Sequence, residues 1–153
     1  MSTSFHIVVG VDGSEGGRRA LQWSVHEAAA RGGAVQAVTA WRWDLDDRTV
    51  DPERERERAE QMLASEVESL RGFDRAAVSI ATEVVEGRAA EVLSAAARDA
   101  DLLVLGSHGH SRVRHTVLGS VSEECISKAR CPVVVLPVPR PSPLRSAEPA
   151  LRT

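Results

Sequence analysis

Short apolar runs alternate with longer amphipathic ones along this 153-residue chain. Phe5 to Val11 is rich in β-branched residues and breaks at Asp12-Gly13-Ser14, as a strand entering a turn does. A helix is predicted next, with Ser14 or Asp12 as its N-cap and Leu21, Val25 and Ala28 on one face. Gly32-Gly33 should end it, and Ala34 to Trp41 reads as a second strand. The stretch from Asp51 to Leu70 opens on the charge run DPERERERAE. Pro52 suits a first helical turn, and Ala59, Leu63, Val67 and Leu70 supply the apolar stripe. The charges read as a solvated face laced with Glu–Arg pairs rather than as a partner surface. Val78, Ile80, Thr82 and Val84 alternate as a third strand exposed on one side would, and Ala89, Val92, Leu93, Ala96 and Ala97 outline another helix. Leu102–Leu105 and Val133–Leu136 are continuously apolar, as parallel strands covered on both faces are. Between them Ser120 to Ala129 should be helical, with Leu118, Val121, Cys125 and Ala129 turned inward. The order βαβαβαβαβ predicts an α/β three-layer sandwich, a five-stranded parallel sheet with right-handed crossovers and helices on both faces.

Composition narrows the functions open to such a sheet. Hydrophobic residues make up 42% of the chain, enough for a core. A net charge of −3 argues against nucleic acid as a partner, because such modules carry a basic face. Aromatics are only 3%, too few for a row of stacking platforms. Two cysteines cannot staple a secreted scaffold. The opening MSTSFHIVVG lacks the basic and long apolar segments of a signal peptide, and no apolar run reaches spanning length. A cytoplasmic domain with no membrane association is expected. Five of the seven prolines fall between Pro137 and Pro149. Residues 1–137 are therefore expected to form the domain and 138–153 an extended, disordered tail, which could alternatively serve as a proline-rich ligand.

Candidate chemistry gathers at two strand ends. Open parallel sheets bind ligands beyond the carboxyl ends of their strands, where the winding direction switches. The first strand runs into Gly10-Val11-Asp12-Gly13-Ser14, and the fourth into Gly106-Ser107-His108-Gly109 followed by a long polar loop to Gly119-Ser120. Gly106 and Gly109 would let backbone N–H groups approach an anion, and Gly119-Ser120 stands where a helix should present free N–H groups and its positive dipole end. Ser120 and Ser122 add hydroxyls, and Arg112 and Arg114 could neutralise phosphates. The same residues admit a plainer reading. Ser120-Val121-Ser122-Glu123 matches a capping box, the glycines could be turn residues only, and Asp12 could simply form an Asx turn or cap a helix. Two familiar nucleotide motifs are absent. Of the 19 basic residues all but Lys128 are arginine, and Lys128 lies too far downstream for a P-loop. The run from Gly10 to Gly17 does not fit Gly-x-Gly-x-x-Gly.

The spacing Gly106-x2-Gly109-x9-Gly119-Ser120, with VVGVDGS at the first strand and CPVVVLP at the last, resembles the universal stress proteins over roughly residues 5–137. The glycine spacing is similar to the signature of that family's ATP-binding branch. This resemblance implies a Rossmann-like sheet of order 3-2-1-4-5 and a homodimer formed through the last strand, Val133–Leu136. It further implies that Asp12 faces the adenosine and that Ala40 offers its backbone to the adenine edge. Gly106 and Gly109 would lie along ribose and phosphates, while Gly119, Ser120, Val121 and Ser122 would hold the phosphate tail. Magnesium or manganese would accompany ATP. Arg112 and Arg114 fall in the variable spacer, and a phosphate role for them is an inference from charge alone. The function expected is that of a nucleotide-dependent regulatory module in a stress response, acting on a protein partner that the sequence does not identify. Its alternatives are a slow ATPase, for which only His108, His110, His115 or Asp12 could position water, and an interaction module that binds no nucleotide.

Three further groups carry weaker signals. His108-x-His110 lacks a third ligand at familiar spacing, so no resident metal site is assigned. Cys125 and Cys131 read as free thiols rather than a redox pair. Trp41 could flank a base at the end of the second strand, or cover a sheet edge.

Overall fold

The computed structural model describes residues 4–42, 46–70, 72–109 and 118–137. Strand β1 (His6–Gly10) leads into helix α1 (Glu15–Arg31), then β2 (Ala34–Trp41) and α2 (Pro52–Glu68). A five-residue α3 (Phe73–Ala77) precedes β3 (Ile80–Glu86). The chain continues through α4 (Ala89–Ala96), β4 (Leu102–Gly106), α5 (Ser120–Lys128) and β5 (Val133–Leu136). The five strands form one parallel sheet of order β3-β2-β1-β4-β5, so β1 and β4 flank the switch point as the resemblance implied.

Side-chain alternation in β1 assigns the two layers. Ile7, Val9 and Val11 pack with Leu21, Val25 and Ala28 of α1 and Leu63 and Val67 of α2. Val8 points the other way, into a second cluster with Val92 and Leu93 of α4, Leu103 and Leu105 of β4 and Cys125 of α5. Ser14 caps α1, its hydroxyl accepting from the Gly17 N–H at 3.1 Å. Gly32 closes that helix at φ 64°, a left-handed conformation that a Cβ would strain. Arg18 of α1 reaches the carboxylate of Glu66 on α2 with two donors, each at 3.1 Å, and so ties the helices of one layer together.

Four expectations need correction. The predicted order omitted α3, which is too short for a 3.6-residue period to register; its Asp74 meets His26 of α1 at 2.8 Å. The third strand begins at Ile80 rather than Val78, a two-residue shift that leaves its alternation in phase. In α5 the inward positions are Ser122 and Cys125, whereas Val121 is 39% exposed. Lastly, β5 is half-buried at all four residues instead of covered on both faces, as befits a strand at the sheet edge. Both cysteines are free, Cys125 buried and Cys131 half-buried, and burial pushes both thiols above their ordinary pKa. The tail from 138 lies outside the described residues.

Candidate functional site

The carboxyl ends of β1, β2 and β4 and the start of α5 enclose a cleft of about 420 Å³, within the range of small-molecule sites. One end is aliphatic, with walls from Val38 and Ala40 of β2, Ala89 and Leu93 of α4, and Leu105 of β4. The opposite end is polar and made of short residues and backbone: Asp12, Gly106 to Gly109, and Gly119 to Ser122. Strand β2 runs past its last β1 partner, Val38, so that Ala40 pairs only with Val85 of β3 among the strands. Val38 and Ala40 share the cleft face of β2. Trp41, one residue on, belongs to the opposite face by the two-residue period and is not among the described walls. It is therefore not positioned to stack on a base in the cleft.

Asp12 performs the turn role that the sequence left open and also lines the cleft. Its Oδ1 accepts the Ser14 N–H at 2.9 Å and the Ser14 hydroxyl, forming an Asx turn that launches α1. Its Oδ2 faces Gly109, where a Cβ would come within 2.5 Å of that oxygen. A side chain at 109 would have to displace that carboxylate oxygen.

The start of α5 departs from the capping-box reading. The N-cap is Gly119, not Ser120, and no described side chain caps the helix. Ser120 is instead the first helical residue, and the first N–H groups of a helix have no acceptor within it. Together with the dipole they make an anion-attracting end that faces the cleft. Buried Ser122 turns its hydroxyl inward and donates to the Gly106 carbonyl at 2.8 Å, tying the helix start to the end of β4. The Gly119 N–H donates to the Ser107 carbonyl at 2.6 Å, which strengthens the same tie. Ser107 Oγ and His108 Nδ1 lie 3.1 Å apart beside it.

Eight of the nine sequence-selected residues, Asp12, Ala40, Gly106, Gly109, Gly119, Ser120, Val121 and Ser122, line this one cleft. Arg112 lies outside the described residues, as do His110, Arg114 and His115. The lone lysine is excluded from the phosphate-attracting end by geometry. Lys128 sits at the far end of α5, about 12 Å along the axis from Ser120. There it approaches Glu91 at 3.8 Å and Glu124 at 3.7 Å, and Arg88 joins Glu124 at 2.8 Å. Among the described residues no group of three or more His, Cys, Asp or Glu side chains could hold a metal by itself. No helix among them is long and apolar enough to cross a membrane. The sequence reading missed Val38, Ala89, Leu93 and Leu105 as cleft walls. The available signal was the shared strand face of Val38 and Ala40; the others are indistinguishable from core residues by pattern.

The model of the universal stress protein family matches residues 4–137. A universal stress protein of Mycobacterium tuberculosis is 33% identical over 130 residues, 85% of this chain and 47% of that protein. The chain thus spans about half the length of the first curated relatives it matches. Among solved structures, UspA from Lactobacillus plantarum superposes with a TM-score of 0.73 at 19% identity, covering 89% of this chain and 99% of that one. A universal stress protein in complex with cAMP superposes at 0.68 with 23% identity, over 88% and 98% of the two chains. One from Archaeoglobus fulgidus in complex with dAMP superposes at 0.55 with 22% identity, over 86% and 96%.

Proposed function

The chain belongs to the universal stress protein family, and from that membership we propose that it is an ATP-binding regulatory module of the cytoplasm. The observation that carries the reading is the two-ended cleft, aliphatic at β2 and α4 and bounded at the other end by a helix start that no described side chain caps. Adenine would lie against Val38, Ala40, Ala89 and Leu93, with its edge at the Ala40 backbone. The Asp12 carboxylate would face the adenosine, and Gly106 and Gly109 would run beside ribose and phosphates. The N–H groups of Ser120, Val121 and Ser122 would take the phosphate tail, with the Ser120 hydroxyl as a further donor and Arg112 of the spacer as a counter-charge. Two solved universal stress proteins of similar fold hold adenine nucleotides, cAMP and dAMP, which supports an adenine-nucleotide ligand.

Magnesium or manganese would enter with the phosphates rather than wait in the protein, since Mg²⁺ is commonly held by one or two carboxylates plus substrate phosphates. Asp12 and Glu123 are the carboxylates on the cleft wall among the described residues. The binding unit is residues 1–137. A second copy would pair along β5, whose half-buried residues leave apolar surface at the sheet edge. ATP would act by favouring one arrangement of the segment from Gly109 to Gly119 and so altering a surface that a partner reads. Mass spectrometry of small molecules released when the purified chain is denatured tests the reading. ATP or its hydrolysis product is expected, and repeated preparations without any adenine nucleotide would contradict it.

A further inference from the structure

The glycine-rich turn after β1 matches no nucleotide motif, yet one of its glycines is held tightly against the end of β4. Gly16 lies in the first turn of α1 and is buried. A Cβ there would come within 2.7 Å of the His108 carbonyl oxygen and 3.6 Å of the Gly106 Cα. From the other side, a Cβ on Gly106 would meet the backbone of Gly16 at 2.7 Å to its carbonyl carbon and 2.9 Å to its Cα. Backbone thus packs on backbone, and neither partner is a flexible side-chain end that can swing away. Alanine is intrinsically the better helix former at position 16, so the contact with β4, not local propensity, is what requires glycine. Gly16 itself is not among the described cleft walls, whereas Gly106, His108 and Gly109 all are.

We infer that Gly16 is a positioning residue: its backbone contact with Gly106 and His108 sets where the β4 end stands relative to the start of α5, and hence whether the phosphate-holding half of the cleft is assembled. Any side chain at 16 would force the β4 end and the start of α1 apart, and with the β4 end would go the Gly106 carbonyl that accepts from Ser122. Val38, Ala40, Ala89 and Leu93, the aliphatic walls that β2 and α4 supply, would stay in place. The inference rests on the ATP reading and predicts a split between ligands that share adenosine but differ in phosphate.

The test compares ATP and adenosine binding by calorimetry in the wild-type chain, Gly16→Ala and Gly32→Ala. The last is a folding control, strained at its φ of 64° and with nothing within 4 Å of its added Cβ. Gly16→Ala is expected to weaken ATP about tenfold or more while adenosine changes less than about threefold. Gly32→Ala should leave the ratio of the two affinities unchanged. Equal losses for both ligands in Gly16→Ala, or none, would overturn the positioning role while leaving ATP binding intact. A wild-type chain that binds neither ligand overturns the ATP reading and the inference together. Should Gly16→Ala fail to fold, amide NMR of the wild-type protein decides. Adding ATP must shift the Gly16 resonance together with that of Gly109, and adenosine must leave Gly16 in place; a Gly16 resonance indifferent to ATP would overturn the inference.

Discussion

Replacing Ser122 by alanine tests whether its hydroxyl belongs to the protein or to the ligand. In the structure Ser122 is 3% exposed and its Oγ donates to the Gly106 carbonyl at 2.8 Å. Removing it deletes a part-buried hydrogen bond and takes a donor from that acceptor, a change that costs about 1–3 kcal/mol. Alanine adds no clash, and its helix propensity slightly offsets the loss. With a urea slope near 2 kcal/mol/M, a loss of about 2 kcal/mol lowers the midpoint by about 1 M. Equilibrium unfolding by circular dichroism, without nucleotide, reads this directly, and the slope should not change. A phosphate-only role for the hydroxyl would leave the nucleotide-free midpoint at the wild-type value. A shift below about 0.2 M would therefore refute the placement of Ser122 as the tie between α5 and β4.

Other perturbations separate the two ends of the cleft and the layer behind it. Leu93→Ala removes a buried cleft wall and should cost about 2–5 kcal/mol in urea unfolding; it should also reduce the thermal stabilisation that added adenosine gives the wild-type chain. Trp41→Ala should leave ATP affinity within about twofold, because Trp41 occupies the opposite face of β2; a tenfold loss measured by calorimetry would put the indole on the base after all. Burial raises the pKa of Cys125, so the native thiol stays protonated where the unfolded one ionises. Its contribution is complete below the ordinary thiol pKa and is lost as pH rises toward the folded value. Stability should therefore fall above about pH 8.5, and less steeply in Cys125→Ala, as followed by urea midpoints across the alkaline range.

Much of the fold was legible because the strands are short apolar runs and the helices carry continuous stripes. Ile7, Val9 and Leu21 sit where their periods put them. The glycine spacing around Gly106, Gly109 and Gly119 likewise marked one end of the cleft before any geometry was known. What escaped was whatever depends on contacts distant in sequence. The outward turn of Val121 follows from Ser122 bonding to β4, an interaction that hydrophobic periodicity cannot register. Leu93 and Val38 are apolar in either role, so only the arrangement of strand ends separates cleft wall from core. The need for glycine at 16 arises from a strand about ninety residues away and leaves no local trace.

The central claim is that the start of α5 holds phosphate through its backbone, and Gly119→Val addresses it most directly. A Cβ at 119 already comes within 3.1 Å of the Ser107 carbonyl oxygen, so the added branches must occupy space on the cleft side or displace the helix start. Equilibrium dialysis of ATP with magnesium, on protein shown to be folded, should give one bound nucleotide per wild-type chain and none for the variant. Undiminished ATP binding by folded Gly119→Val, or none by the wild-type chain, would contradict the account.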